Sequence, residues 1–289
     1  MQVDAHHHLW DLKEVDYPWL NARGQKRFFG DPTPIQRDYP VSEFRADAVP
    51  HGFEASVHIQ VGARDPMQEA RWVQSVADSN PFWPAAQVAY CDLAGEGVEA
   101  NLAALLKIPT VKGVRQIVGR SRVEDAATGT NLLLEDPKFS EGLKQAAAAG
   151  FSFDLQLIPE LMHKAADVLA KIEELPVALC HCGSPSDWTA SGLRSWMLSL
   201  RHLAALPQVH CKLSGLGMFR KGWSADDIRP IVETCLELFG SNRCMFGSNF
   251  PVDSLRSSYE TIVSAYREII PSEDCEAVFG GNAVRFYRI

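Results

Sequence analysis

The chain has 289 residues, a formal net charge of −8 at pH 7 and seven cysteines. Hydrophobic residues make up 46% and charged residues 22%, which is typical of a globular protein that buries a substantial core. Lysine and arginine are scattered, and no apolar stretch nears the roughly 18 residues of a membrane span, so neither nucleic-acid nor membrane partners are expected. The first residues lack the basic start and apolar run of a signal peptide, and we expect a reduced, cytoplasmic enzyme.

Eight short apolar runs, rich in Val, Ile and Phe, alternate along the chain with longer amphipathic segments. The runs cover residues 3–8, 55–61, 85–91, 111–118, 151–158, 177–182, 209–213 and 244–248. Helical patterns lie between them, at 66–77, 137–149, 159–173, 188–205, 225–239, 257–269 and 272–279. Pro66 suits the first turn of a helix, and Gly150 suits the position just after one. Strand and helix repeated in this order indicate parallel strands joined by crossover helices.

The pattern predicts a single α/β domain over residues 1–289, folded as a (β/α)8 TIM barrel. Eight strands in a chain close to the roughly 250 residues of such a barrel favour closure, and an open sheet is the alternative. The irregular stretch 11–50 is too long for an ordinary connection, so we expect it to form a lid near a site. In a barrel of this kind the chemistry lies where the strands end, at the C-terminal face.

The first run ends in three consecutive histidines. Because side chains alternate along a strand, His6 and His8 share one face and His7 takes the other. Two imidazoles at this spacing on an inward face can bind a divalent metal or polarise a carbonyl group. His181, at the end of the sixth run, is a third strand-end histidine that can join them.

Other strand ends carry polar side chains as well. Alternation in the sixth run places Cys180 and Cys182 opposite His181, where we expect both cysteines to pack under helices. Lys212, in the seventh run, points toward the barrel mouth, where a lysine needs an anionic partner or a lowered pKa. The remaining polar tips are Gln60, Arg115, Gln156, Ser214, Asn249 and Asp253. So many polar strand ends together predict an active site.

A series of short motifs resembles the amidohydrolase superfamily. They read Val-Asp-Ala-His-His-His-Leu-Trp at 3–10, Val-Lys-Gly-Val-Arg at 111–115, His-Cys-Gly-Ser-Pro at 181–185, Lys-Leu-Ser-Gly-Leu at 212–216 and Gly-Ser-Asn-Phe-Pro-Val at 247–252. The chain is most similar to the amidohydrolase-2 branch, and within it to the L-fuconolactonase group of sugar-acid lactonases, relatives of 2-pyrone-4,6-dicarboxylate lactonase. The resemblance covers nearly the whole chain.

The resemblance implies a (β/α)8 barrel that hydrolyses lactones, amides or related bonds. The family's His-x-His pair matches His6 and His8, its later strand-end histidine matches His181, and the arginine of its Gly-x-Arg motif matches Arg115. The three histidines are the candidate ligands of one divalent ion, zinc first, and a metal-independent reaction is the alternative. Arg115 is suited to a carboxylate or hydroxyl of the substrate.

Several further side chains are expected to contact the substrate, which is predicted to be a small lactone or organic acid. The candidate substrate-binding residues are Trp10, Gln60, Arg115, Gln156 and Lys212. Trp10, together with Trp19 and Tyr90, could cover a sugar ring. A homodimer is an open alternative to a monomer.

Two positions depart from the family pattern. The family's last strand usually reads Gly-Ser-Asp-Trp-Pro, and its aspartate takes a proton from the attacking water, whereas this chain has Asn249 there. An amide cannot accept that proton at neutral pH, although it can orient water. Cys180 stands where the family commonly has aspartate.

These departures leave three functions open. The favoured one is a lactonase that opens a sugar-acid or dicarboxylate lactone, with His6, His8, His181 and Asn249 as catalytic residues and His181, Asp253 or a metal-bound hydroxide as the base. The second is a decarboxylase-like enzyme on the same barrel, acting on an aromatic acid. The third is a barrel that binds such a ligand and catalyses little.

Overall fold

Eight parallel strands form a barrel in the computed structural model, which describes residues 1–289. The strands are β1 Gln2–His7, β2 Phe53–Ile59, β3 Ala86–Tyr90, β4 Val111–Arg115, β5 Ser152–Leu155, β6 Val177–Leu179, β7 Val209–Leu213 and β8 Cys244–Phe246. Each strand pairs with the next along the chain. Beyond β8, the His8 N–H donates to the Phe250 carbonyl and the Asn249 N–H donates to the His6 carbonyl, both at 2.7 Å. These bonds join the last strand to the first, and the predicted (β/α)8 barrel is confirmed.

Helices lie between the strands and around them. They are α1 Pro18–Asn21, α2 Val41–Ala48, α3 Pro66–Ser79, α4 Val98–Leu105, α5 Arg122–Thr128, α6 Pro137–Ala148, α7 Met162–Leu169, α8 Ala190–Ala204, α9 Ala225–Phe239, α10 Tyr259–Ile269 and α11 Asn282–Tyr287. Helices α3, α6, α8, α9 and α10 agree with the predicted helices, and α7 is shorter than predicted. The predicted helix at 272–279 is instead a 3-10 turn followed by a π-helical turn. None of the helices has both the length and the apolarity needed to cross a membrane.

Helix α3 shows how the local sequence sets an element. The Asp65 carboxylate accepts the N–H groups of Met67 and Gln68, which have no partner inside the helix. Pro66 occupies the first turn, where its missing N–H has no consequence. The helix therefore starts at Pro66, as its sequence predicts.

Two apolar layers hold the barrel. The larger one packs the helices against the outside of the sheet. The smaller one lies inside the barrel toward the amino ends of the strands, where Val3, Val57 and Val88 meet Phe286 and Tyr287 of α11. Because this layer fills one end of the barrel, the opposite end is left for the polar side chains.

Part of the stretch 11–50 lies over that polar end, with Trp19, Phe28 and Phe29 at the cavity, whereas Phe44 of α2 packs against Tyr259 of α10 outside the barrel. The backbones of Trp10 and Tyr39 bond to each other in both directions, at 3.2 and 2.9 Å. The Trp19 ring N–H donates to the Val61 carbonyl at 2.7 Å, and Arg256 donates to the Phe29 carbonyl at 2.7 Å. The segment is thus tied to the barrel loops, and part of it covers the site described next.

Candidate active site

A cavity of about 400 Å3 opens at the carboxyl ends of the strands. The predicted site residues that line it are His8, Trp10, Gln60, Arg115, Gln156, His181 and Asn249. Trp19, Phe28 and Phe29 from residues 11–50 form much of its apolar wall. His6 and Lys212, also predicted for the site, are fully buried beneath it and do not line it.

The histidines of β1 separate as alternation predicts. His7 points outward and stacks on Phe44, with ring centroids 3.9 Å apart. The His6 ring lies inside, 5.2 Å from the His8 centroid and 4.5 Å from that of His181. Neither ring nitrogen of His6 has a hydrogen-bond partner. Its pKa is well below the usual value because burial and the neighbouring His181 disfavour the imidazolium, so His6 is a neutral ring.

The tautomer of His8 follows from its neighbours. Its Nδ1 lies 2.7 Å from the carbonyl oxygen of Ile59, and since a carbonyl oxygen can only accept, Nδ1 carries a proton. Burial, followed by the charge of Arg115, lowers the pKa of His8 to about 3. The ring is therefore neutral, and its lone pair is on Nε2, which lies 3.2 Å from Oδ1 of Asn249 at the cavity wall.

Asn249 and Asp253 are joined behind this wall. The Asn249 backbone has φ 57°, in the left-handed region that asparagine tolerates better than most residues. Its Nδ2 donates to Oδ1 of Asp253 at 2.9 Å, and the Gly217 N–H donates to Oδ2 at 3.3 Å. Burial raises the pKa of Asp253 to about 7. Asp253 is buried and does not line the cavity, so as a base it could reach water only through Asn249.

His181 reaches the cavity by a route that alternation does not describe. Strand β6 ends at Leu179, and both His181 and Cys182 adopt left-handed backbone conformations, with φ 56° and 53°. The turn directs the His181 ring to the cavity and leaves Cys182 outside. The Cys180 thiol points into the barrel, on the same face as Ala178, and lies 3.9 Å from Oδ2 of Asp154. The prediction that both cysteines pack under helices was wrong for Cys180.

Outside the barrel, Cys182 does pack as predicted, beneath the helices. Its Sγ lies within 4.8 Å of those of Cys211 and Cys235. On the cavity side, His181 Nδ1 lies 3.0 Å from the Ser214 hydroxyl, which leaves His181 Nε2 for a ligand.

Lys212 has its anionic partner inside the protein. Its Nζ lies 2.5 Å from Oδ2 of Asp154, and neither side chain is exposed to solvent. The Tyr287 hydroxyl from α11 donates to the other oxygen of Asp154 at 2.9 Å. The sequence predicted that Lys212 binds the substrate. In the structure a buried carboxylate already pairs with the Lys212 ammonium, so this side chain is not available to a substrate.

Arg115 is held rigidly in the cavity. Its guanidinium donates to the Gln60 carbonyl at 2.5 Å and to Oε1 of Gln156 at 3.2 Å. Its Nε is buried without a partner. Uncharged acceptors leave the positive charge uncompensated, and this charge faces the cavity.

Two further arginines were missed by the sequence reasoning. Arg27 from the segment 11–50 and Arg120 from the loop after β4 both line the cavity. They approach the same oxygen of Glu124, at 3.2 and 3.8 Å. Burial, followed by the charge of Arg27, lowers the pKa of Arg120. No carboxylate lines the cavity. Glu124, outside the lining, is the carboxylate that pairs with both Arg27 and Arg120. The cavity therefore has an excess of positive charge.

The predicted ligand set for a metal does not assemble. His6, His8 and His181 do not bring three ligand atoms within 4.8 Å of one another, whereas His6, Asp154 and Cys180 do. In that second group the Asp154 carboxylate is already paired with the Lys212 ammonium, which provides the positive charge that a metal ion would bring. Burial raises the pKa of the Cys180 thiol to about 12, so it is not a thiolate. These donors do not fit a resident divalent ion.

Comparison with known proteins places this geometry in a family. The family model described as amidohydrolase matches residues 3–289. The uncharacterized protein y4mH of Sinorhizobium fredii is 35% identical over 294 residues, covering 99% of this chain and 98% of that protein. An L-fucono-1,5-lactonase of Burkholderia multivorans is 28% identical, covering 100% of this chain and 96% of the lactonase.

The fold has a similar solved structure. A crystal structure of an amidohydrolase from Burkholderia multivorans with bound zinc has a TM-score of 0.84 and 25% sequence identity, covering 100% of this chain and 99% of that one. The similarity therefore extends over the whole barrel.

Proposed function

This chain belongs to the amidohydrolase family, and we propose that it is a lactonase that opens the ring ester of a sugar-acid or dicarboxylate lactone. One observation carries the proposal: a neutral imidazole with its lone pair on His8 Nε2 stands at the wall of a cavity that is lined by three arginines and by no carboxylate. A neutral imidazole in this position can accept a proton from a water that attacks a carbonyl carbon. The lactonase name of the Burkholderia multivorans relative supports the same class of substrate.

The charge of the cavity favours an anionic substrate. Arg115 is held by uncharged acceptors, and Arg27 and Arg120 share one glutamate. Guanidinium groups bind carboxylates through parallel charge-assisted hydrogen bonds. We therefore place a carboxylate of the lactone against Arg120 and Arg27, and the ring ester nearer to His8 and Arg115.

The two cavity histidines divide the chemistry between them. Water attacks the lactone carbonyl carbon while His8 Nε2 takes one of its protons, so that an oxygen–carbon bond forms and the carbonyl oxygen becomes negative. We assign the proton of His181 to Nε2, with Nδ1 accepting from the Ser214 hydroxyl 3.0 Å away. The Nε2 N–H then stabilises that oxygen. The ring carbon–oxygen bond then breaks, and His8 returns its proton to the departing oxygen.

No step in this scheme uses a metal ion. The three histidines predicted as ligands do not converge, and His8 Nδ1 is bonded to the Ile59 carbonyl. Lys212 provides a positive charge next to Asp154. We therefore propose a metal-independent hydrolysis, in which imidazole and guanidinium groups stabilise the negative charge.

The test is hydrolysis of a panel of aldonolactones, aldarolactones and pyrone carboxylates, followed by proton release at pH 8. Wild type should turn over at least one of them equally well with and without EDTA. H8Q should lower kcat by roughly 100- to 10,000-fold, the usual contribution of a general base. H163Q is the control because the His163 side chain is 66% exposed and does not line the cavity. Full activity in H8Q, or activity only with added zinc, would refute the scheme.

A further inference from the structure

We propose that Asp253 is a positioning residue of the hydrolytic site, which holds the side-chain amide of Asn249 with its oxygen toward His8. The inference rests on the proposed function, because His8 is the base in that reaction. The resemblance to relatives implies an aspartate at position 249, and this chain instead carries an amide there with a carboxylate four residues later.

The hydrogen bonds around Asp253 leave one orientation for the amide. Asp253 is 2% exposed, and its two oxygens accept from Asn249 Nδ2 at 2.9 Å and from the Gly217 N–H at 3.3 Å. At pH 8, where the reaction is assayed, Asp253 is above its pKa of about 7 and ionised. It then has no hydrogen to donate, so the amide nitrogen must face it. The amide oxygen of Asn249 then faces His8 Nε2, at 3.2 Å.

The backbone of Asn249 is held independently of this contact. Its N–H donates to the His6 carbonyl at 2.7 Å, and its own carbonyl accepts the Asp253 N–H at 3.1 Å. With the main chain fixed at both ends, rotation of the amide by half a turn is the freedom that the side chain retains. Asp253 removes that freedom.

The orientation decides whether His8 can act as a base. If the amide nitrogen faced His8, it would donate to the lone pair on Nε2 and occupy it. With the oxygen in place no hydrogen bond occupies the lone pair, because in the neutral ring both atoms are acceptors. Once Nε2 has taken a proton from water, Asn249 Oδ1 accepts the new N–H in a hydrogen bond. The negative charge of Asp253 lies behind that bond and stabilises the imidazolium across the amide.

The variant D253N tests the orientation while preserving the shape of the side chain. The Gly217 N–H still requires an acceptor, so the new amide directs its oxygen there and its nitrogen toward Asn249. The Asn249 amide must then turn over and present its nitrogen to His8. At pH 8 we expect kcat to fall about 10- to 100-fold, the effect of one charge-assisted hydrogen bond, with KM within about twofold by the same reasoning. D226N, at a side chain that is 90% exposed, is the control.

A second substitution separates positioning from a general structural role. In N249D/D253N the carboxylate and the amide exchange places. The amide nitrogen at position 253 then donates to the carboxylate at position 249, whose other oxygen faces His8. N249D alone puts two carboxylates at the 2.9 Å contact, which costs activity or stability. We expect the double variant to be at least about 10-fold more active than D253N. Two losses that simply add would overturn the proposal.

A readout that needs no substrate distinguishes this inference from the proposed function. Long-range 1H–15N spectra report the ring nitrogens of each histidine, and loss of signal in H8Q assigns those of His8. The His8 Nε2 resonance should shift in D253N and return toward its wild-type position in the double variant. If no lactone is hydrolysed but this pattern appears, the lactonase proposal fails and the positioning role stands. An unmoved His8 resonance in D253N overturns the positioning role whatever the activity.

Discussion

Replacing Lys212 by methionine removes a positive charge from the interior of the barrel and leaves the rest of the side chain in place. Neither Lys212 nor Asp154 is exposed, and their charged atoms lie 2.5 Å apart. In K212M the Asp154 carboxylate would keep the Tyr287 hydroxyl as a partner but lose its counter-charge. The protein must then either hold an unpaired carboxylate out of water or protonate it.

The size of the effect follows from burial. Breaking a buried ion pair by removing one partner costs about 3–5 kcal/mol. An unfolding entropy of about 2.1 cal/mol/K per residue amounts to about 0.6 kcal/mol/K for this chain. We therefore expect the Tm of K212M to fall by about 5–8 °C, measured by circular dichroism at 222 nm at pH 7.5.

Two comparisons make the measurement decisive. K164M breaks the ion pair between Lys164 and Glu135, whose side chains are 54% and 55% exposed, and exposed pairs contribute about 0–1 kcal/mol. D154N/K212M removes both charges, and the amide oxygen can still accept from Tyr287, so more than half of the lost Tm should return. A K212M variant no less stable than K164M, or a double variant worse than K212M, would refute the reasoning.

Two further predictions concern the cavity and its wall. R120Q should raise KM for an aldarolactone about 10- to 100-fold and leave KM for the matching aldonolactone unchanged. The control is R122Q, which alters a side chain that is 77% exposed and should change neither KM. An equal effect of R120Q on both lactones would contradict a carboxylate subsite. Because burial raises the pKa of Asp253 from 3.8 to about 7, the folded state retains a proton in that interval which the unfolded chain has released, so the contribution of Asp253 to the free energy of unfolding should fall as the pH rises from 5 to 8. Buried histidines with lowered pKa values contribute in the opposite direction in both proteins, so the measurement is the difference between urea titrations of wild type and D253N: wild type should lose stability relative to D253N as the pH rises, and parallel pH profiles would contradict the shifted pKa.

The order of strands and helices could be predicted because each element carries its own pattern. The apolar runs locate all eight strands, and the long helices α3, α6, α8, α9 and α10 show clear periodicity and starting signals. Helices α1, α2, α4, α5 and α11 were not predicted; they have four to eight residues and complete little more than about two turns. Such segments are stabilised by packing against the barrel more than by their own propensity.

The site could be predicted only in part, because its partners come from distant segments. Strand-end positions pointed to His8, Arg115 and His181, and all three line the cavity. The partner of Lys212 is 58 residues away on another strand, and nothing near it in sequence indicates that it is already neutralised. Cys180 follows Ala178 onto the inner face by ordinary alternation, whereas the inward direction of His181 depends on the left-handed turn after β6, which the sequence pattern does not reveal. Alternation counted from an inward His181 therefore placed Cys180 on the wrong face.

The bond between His8 and the Ile59 carbonyl has a consequence for how this protein tolerates mutation. The acceptor that sets the tautomer of the ring belongs to the main chain, so every residue type at position 59 supplies it. The opposite side of the ring depends on two side chains, Asn249 and Asp253, and a single nucleotide change can alter either one. The hydrogen bond on the Nδ1 side of His8 is therefore insensitive to substitution. The contacts on the Nε2 side are lost when either Asn249 or Asp253 is replaced, and a compensating change at the other position is needed to restore them.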